Sequence, residues 1–214
     1  MSGAGGGAGA VTRWWWIRHA PVTNPDDIFY GRRDLPADLG DAAAAAGLAA
    51  ALPPDAVWVV TPLRRTAQTA EAVRARMRDP GPGCVIEPGL IEQSFGDWQG
   101  RPQADVFAAP GGELHPFWRR PAHERPPGGE SYVELTARVR EAVGRLCAAH
   151  RGRDLIAVVH GGTVRAAVAL ALDLTPEAAL RVVADCWSLT RLDFVELPDE
   201  PPAWRVGWIN RLPH

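Results

Sequence analysis

The stretch Trp14-Trp15-Trp16-Ile17-Arg18-His19-Ala20-Pro21 decides how this chain is read. Three tryptophans and an isoleucine following a glycine-rich leader have the bulk expected of a strand. Pro21 makes further ladder pairing unfavourable. Arg18 and His19 therefore fall at the C-terminal end of the first predicted strand, where ligands bind in open α/β sheets. An imidazole beside a fixed cation in that place is an anion-binding nucleophile, or simply a basic strand end. The dipeptide alone leaves both readings open.

Two further stretches repeat the pattern. Ala56-Val57-Trp58-Val59-Val60 is a continuous apolar run of the buried parallel type, followed by Thr61-Pro62-Leu63-Arg64-Arg65. Thr61 is expected to cap the next helix, with Pro62 in its first turn and the helix reaching about Arg78. Arg64 and Arg65 then lie at a helix N-terminus, where two cations are unfavourable for stability, so at least one is expected to bind an anion. Leu155-Ile156-Ala157-Val158-Val159 is a third apolar strand, closed by His160-Gly161-Gly162, with Thr163 opening a helix to about Leu172. Glycines at a helix start let the backbone approach an anion, and the helix end offers N–H donors.

Between these elements the chain is more irregular. Pro21 to Gly40 reads as a loop carrying Asn24, Gly31, Arg32, Arg33 and Asp34, a natural pocket wall. Asp41 to Leu52 is an Ala- and Leu-rich helix. A short strand, Cys84 to Ile86, leads to Glu92 and then Phe95-Gly96-Asp97-Trp98-Gln99-Gly100. An acid held against Phe95 and Trp98 is expected to have a raised pKa, as a general acid requires. Residues 101–129 are rich in Pro and Gly and read as an irregular lid insertion over the strand ends. Ser131 with Glu134 matches a capping box for a helix to about His150. A short helix from Pro176 to Ala184 precedes two antiparallel strands, Cys186 to Leu197 and Ala203 to Arg211, expected at a sheet edge with structural duty only.

Composition bounds the rest. A chain of 214 residues suffices for one well-buried domain. A net charge of -2 gives no reason to expect nucleic acid or an anionic membrane as partner, so any phosphate must be held by a local Arg and His cluster. No apolar run reaches the ~18 residues of a membrane span. Cys84, Cys147 and Cys186 are odd in number and lack a Cys-x-x-Cys, which points to a reducing compartment and a cytoplasmic protein. The start of the chain lacks the basic and apolar segments of a signal peptide. Residues 1–12 are read as a disordered leader and 13–214 as a single domain. The oligomeric state stays open, a homodimer included.

Together, Arg18, His19, Arg65 and His160 would meet at one sheet rim, joined by Glu92 from a fourth segment. The set makes chemical sense. Two guanidiniums bind phosphate oxygens, one neutral imidazole attacks phosphorus, and a second imidazole, expected to be protonated, balances charge. A carboxylic acid protonates the leaving oxygen. In this order the motifs resemble the histidine phosphatase superfamily, the phosphoglycerate mutase-like proteins. The family's Arg-His-Gly appears as Arg18-His19-Ala20, and its Ser-Pro-Leu-x-Arg-x-x-Gln-Thr-Ala box as Thr61 to Ala70. Its Glu with Phe-Gly-x-Trp-x-Gly appears as Glu92 to Gly100, its Gly-Gly-Glu-Ser as Gly128 to Ser131, and its His-Gly-Gly as His160 to Gly162.

The resemblance implies a three-layer α/β/α sandwich with a mainly parallel central sheet, His19 as nucleophile and Glu92 as proton donor. Arg18, Arg65, His160, Gly161 and Asn24 would bind substrate, with no metal and no cofactor. It makes Arg65, not Arg64, the phosphate ligand. The implied activity is hydrolysis of a small phosphorylated metabolite through a phosphohistidine. Mutase-type phosphoryl transfer and a non-catalytic phosphate-binding protein are the alternatives. The chain departs from the pattern at Ala20, Pro21, Val22, Val159 and Gln99, and Asn24 stands one place early for the family's pocket asparagine.

Overall fold

The computed structural model describes residues 9–24, 26–108 and 114–213. Along the chain run β1 (Ala10–Arg18), α1 (Ala42–Ala51), β2 (Val57–Val60), α2 (Arg64–Arg74) and β3 (Cys84–Ile86). Next come α3 (Gln103–Phe107), α4 (Pro116–Arg119), α5 (Tyr132–Ala149), β4 (Asp154–Val159), α6 (Gly161–Leu172) and α7 (Pro176–Ala179). The strands β5 (Leu189–Glu196) and β6 (Ala203–Arg211) follow. One six-stranded sheet has the order β3-β2-β4-β1-β5-β6. The first four strands in that order are parallel, and β5 pairs antiparallel with both β1 and β6.

Alternation along the central strands builds the three layers. Trp14 and Trp16 of β1, with Leu155, Ala157 and Val159 of β4, join Leu135, Val139 and Val143 of α5 and Val164 and Ala167 of α6 in one core. Trp15, Ile17, Ile156 and Val158 face the other way, onto Ala44 and Leu48 of α1 and Ala70 and Val73 of α2. A strand buried on both faces needs apolar residues at every position, which is why this stretch reads as a run and not an alternation. Trp14 and Trp16 stack at 4.7 Å with their planes 11° apart, both fully buried. Burial of about 200 Å² per indole corresponds to roughly 5 kcal/mol of transfer free energy each, before entropy is charged.

The structure moves several expected boundaries. Strand β1 starts at Ala10, so residues 10–12 belong to the sheet, with Thr12 fully buried and its hydroxyl accepting from Gly152 N at 2.9 Å. Residues 1–8 of the proposed leader lie outside the described residues. Helix α2 begins at Arg64 and ends at Arg74, and Leu63, not Thr61, occupies its N-cap without a side-chain bond. Pro62 precedes that cap, outside the helix, because the Thr61 hydroxyl is engaged elsewhere. The lid contains two short helices, α3 and α4, held by an aromatic cluster of Trp98, Val106 and Phe117 with Phe29, Phe95 and Trp118. Helix α7 closes at Ala179, and a turn from Asp185 to Ser188, with Trp187 at φ 62°, delays β5 to Leu189. The antiparallel pair β5–β6 lies at one edge of the sheet, as expected, with β5 against β1 and β6 outermost, because the short connection 197–202 brings β6 back outside β5. The capping box holds, with Ser131 Oγ accepting from Glu134 N at 3.2 Å and Glu134 Oε2 accepting from Ser131 N at 2.8 Å. Among the described residues no helix is long and apolar enough to cross a membrane.

Candidate active site

The parallel strands β1 and β4 are neighbours in register, Arg18 opposite Val159, and β4 also pairs with β2, Val158 opposite Val60. The residues that follow, His19, His160 and Thr61, therefore emerge side by side at one rim. His19 N donates to Val159 O at 2.9 Å, which ties the first junction to the second. The two imidazole rings lie 5.2 Å apart in an edge-on arrangement, and both residues are buried.

His19 is fixed at both nitrogens. Nδ1 sits 2.5 Å from Ala20 O, and because a carbonyl can only accept, Nδ1 carries the ring hydrogen. Nε2 is then a bare lone pair, and it accepts from Arg65 Nε at 3.2 Å. Ala20 N in turn donates to Thr69 Oγ1 at 3.0 Å, holding the turn that presents the ring. Burial, reinforced by the Arg65 and Arg18 guanidiniums, pushes the imidazole down to about 3, so it is an unprotonated base at neutral pH.

Arg65 is fully buried, anchored through Nη1 to Arg33 O and through Nη2 to Gly31 O, each at 2.8 Å. Its guanidinium also lies 5.3 Å from the centre of the Tyr30 ring. Arg64 points out of the site, its amide donating to Asp34 Oδ1 at 2.7 Å. Of the two arginines at this helix start, only the second reaches the rim.

His160 caps α6 without a side-chain bond to the helix, and its Nε2 meets Thr61 Oγ1 at 2.9 Å. Its Nδ1 is buried with no partner among the described residues, as is Arg18 Nε. Arg18 is held from behind by Nη1 donating to Ala184 O at 2.5 Å. Burial first, then the neighbouring His19 and arginines, hold His160 well below its ordinary value. The expectation of a protonated second imidazole is thus corrected. The dry, cation-rich rim favours the neutral ring, and Nδ1 and Arg18 Nε stand as unspent polar groups there.

Glu92 arrives from the segment after β3. Its Oε1 accepts from Gln93 N at 2.9 Å and its Oε2 faces Gly162 N at 3.5 Å, at the N-terminus of α6. A Cβ on Gly162 would come within 2.5 Å of Glu92 Oε1, so any side chain there would have to displace the Glu92 carboxyl from its present position. At Gly161 a Cβ would find Arg18 Nε at an ordinary 3.5 Å, and nothing would have to move. Asn24 is not brought into the group. Its Nδ2 donates to Ile28 O and its Oδ1 accepts from Ile28 N, at 3.0 and 3.2 Å, closing its own loop.

A clamp escaped the sequence reading. Arg32 Nε and Arg138 Nη2 both donate to the main-chain oxygen of Glu92, at 2.7 and 3.0 Å. Their guanidiniums converge on Glu130 Oε1, at 2.6 and 2.8 Å, and Gln93 Nε2 donates to Glu130 O at 2.9 Å. Glu130 stands inside the quoted Gly-Gly-Glu-Ser, but no spacing rule links it to Arg138 on a helix face or to Arg32 in a loop. Thr61 was within reach of inference. It follows β2 as His19 follows β1 and His160 follows β4. Gln99, at a departure from the family pattern, accepts from Arg32 N at 2.7 Å and so supports the same loop.

Beside Glu92 opens a cavity of about 200 Å³ lined by Ile28, Phe29, Tyr30, Gly31, Phe95 and Gln103. One end of the site thus presents fixed cations, the bare Nε2 of His19 and the unpartnered Nδ1 of His160, the other a carboxyl and an aromatic wall. That arrangement can hold a tetrahedral anion, attack it and protonate what leaves.

The chain is similar to several known proteins. A glucosyl-3-phosphoglycerate phosphatase of Mycolicibacterium vanbaalenii is 37% identical over 176 residues, 77% of this chain and 76% of that protein. A 2,3-bisphosphoglycerate-dependent phosphoglycerate mutase 2 of Gloeobacter violaceus is 31% identical over 175 residues, 78% of each. A bifunctional protein of Mycobacterium tuberculosis is 32% identical over 194 residues, 88% of this chain but 52% of that protein, so the chain spans about half its length. Among solved structures, a mycobacterial glucosyl-3-phosphoglycerate phosphatase with VO3 superposes with a TM-score of 0.76 at 29% identity, covering 93% of this chain and 98% of that one. Residues 14–200 match the histidine phosphatase superfamily (branch 1), and the chain belongs to that superfamily.

Proposed function

We propose that this chain hydrolyses a small phosphate monoester through a phosphohistidine on His19. The observation that carries the reading is the state of that ring: Nδ1 committed to Ala20 O, Nε2 bare, and a guanidinium donating to it. In the first half-reaction the Nε2 lone pair attacks phosphorus as the P–O bond to the alcohol breaks, and the protonated Glu92 carboxyl gives its proton to the departing oxygen. In the second, the Glu92 carboxylate takes a proton from water as the water oxygen attacks phosphorus. The P–N bond breaks, and the ring recovers its lone pair. Arg65 shifts its donor from Nε2 to the phosphoryl oxygens. Arg18 Nε, His160 Nδ1 and the first amides of α6 supply further donors. With Thr61 donating to His160 Nε2, the neutral ring carries its hydrogen on Nδ1.

In this reading the positive charge comes from fixed guanidiniums, and no metal is required. The three free thiols, Cys84, Cys147 and Cys186, support the reducing environment of a cytoplasmic enzyme. The test is release of p-nitrophenol from p-nitrophenyl phosphate with EDTA present. Wild type is expected to turn over and His19→Ala to fall by about 10⁴-fold or more. A wild type without turnover would overturn the reading in favour of a binding protein. Conversion of 3-phosphoglycerate to 2-phosphoglycerate without free phosphate would overturn it in favour of a mutase.

A further inference from the structure

The cavity beside Glu92 takes none of the anion-binding groups, and its walls are distinctive. Ile28, Phe29, Tyr30 and Phe95 provide apolar and aromatic surface, with Gln103 and Glu92 as the polar members. The wall is built firmly. Phe29 N donates to Arg101 O at 2.8 Å, Gly100 N to Phe29 O at 2.9 Å and Gln103 N to Asp27 O at 2.9 Å, so the loops 27–30 and 100–103 are laced together. Phe29 packs edge-on to Phe95 at 4.7 Å and is backed by Trp98 and Trp118 at 6.2 and 6.3 Å. Such a surface is preset for a flat ring.

Its charge is as telling as its shape. No cation lines it, and the chain contains no lysine at all. Arg32, next to this wall in sequence, is spent on Glu92 O and Glu130. Arg65 is spent on Gly31 O, Arg33 O and His19. The carboxyl that lines it is Glu92. Asp27 stands behind Gln103, its Oδ1 accepting from Gln103 Nε2 at 2.6 Å. Arg33, against Gly100, and Arg101 lie on the adjoining loops outside the lining. A carboxylate or second phosphate on the leaving group would be desolvated against this wall and find no cationic partner in its lining. The volume is of the order of the ~150 Å³ cavity that accepts a benzene ring in other proteins.

Resting on the phosphatase reading above, we infer that the leaving alcohol is uncharged and carries a flat, largely apolar ring seated against the wall formed by Phe29, Phe95 and Tyr30. The experiment compares three esters whose leaving groups are all alkyl alcohols, so that the chemistry is matched: benzyl phosphate, glycerol 3-phosphate and 3-phosphoglycerate. Expected is a kcat/KM for benzyl phosphate at least tenfold above that for 3-phosphoglycerate, with glycerol 3-phosphate between. Gln103→Arg, which places a cation on the wall, is expected to raise kcat/KM for 3-phosphoglycerate at least tenfold. An equal or higher kcat/KM for 3-phosphoglycerate with wild type would overturn the inference. Failure to hydrolyse these esters and p-nitrophenyl phosphate alike would sink the phosphatase reading instead. Calorimetric binding of the same three esters would then decide the cavity's preference separately, benzyl phosphate tightest supporting it and 3-phosphoglycerate equal or tighter overturning it.

Discussion

The two ends of the site are built by different means. At the proposed phosphate end, the groups sit at the end of a central parallel strand or at the helix start that follows: Arg18 closing β1 and His19 after it, His160 after β4, Arg65 on α2 behind β2. Strand register fixes those positions, and burial fixes their protonation. At the leaving-group end, Glu92 and the aromatic wall come from loops and a lid, held by the Glu130 clamp and the Phe29 cluster. The difference teaches that the proposed anion pocket is a property of the sheet, whereas the proposed acid and the aromatic wall depend on contacts that can change without disturbing it.

Substitutions on the two sides should therefore separate phosphate binding from turnover. The largest effect is expected at the acid. Glu92→Gln should lower kcat by roughly 10²–10⁴-fold while leaving inorganic phosphate affinity within a few-fold, since the ring and guanidiniums are untouched. Equal loss of both would show that the two ends are not separable. One step back, Glu130→Gln weakens the partner that both Arg32 and Arg138 share. Release of the Glu92 main chain should cost kcat on the order of tenfold with KM little changed, as expected of a positioning role. Arg138→Lys should recover less than half of the effect of Arg138→Met, because one ammonium cannot reproduce a fork reaching Glu130, Glu92 O and Gly89 O. A KM effect with normal kcat would move the clamp to the phosphate end.

The smallest effect is on stability. An unfolded imidazole takes up a proton near its ordinary 6.5, whereas folded His19 refuses one until about 3. Between those values the unfolded state binds more protons, so stability falls as the pH is lowered through 6.5 toward 3. His160 is shifted in the same direction. From pH 7 to pH 5 the His19 contribution alone is about 2 kcal/mol. Urea unfolding of wild type and His19→Gln at the two pH values reads it: the variant should lose less stability on acidification, and parallel losses would contradict a buried neutral base.

What the amino-acid sequence disclosed follows the same division. The apolar runs of β1, β2 and β4, each ended by a polar residue, give the parallel sheet and its rim, because strand ends are local features. Arg65 over Arg64 came from the resemblance alone. Spacing could not tell which side of the first turn of α2 would face the rim, and the structure buries one while pairing the other with Asp34. The charge of His160 is not legible in the sequence, because its protonation depends on burial and on His19, Arg65, Arg138 and Arg18, which converge only in the fold. The place of Asn24 is equally illegible, since a loop side chain has no periodicity to constrain it, and it closes on Ile28. The Arg32–Glu130–Arg138 clamp joins three distant segments and left no local trace.

The most direct measurement is to quench the enzyme during turnover of a ³²P-labelled ester and locate the label. A covalent phosphate on Nε2 of His19, stable to base, labile to acid and accumulating further in Glu92→Gln given a good leaving group, is what the account predicts. Turnover in wild type with no label on His19, or a label retained in His19→Ala, would contradict it.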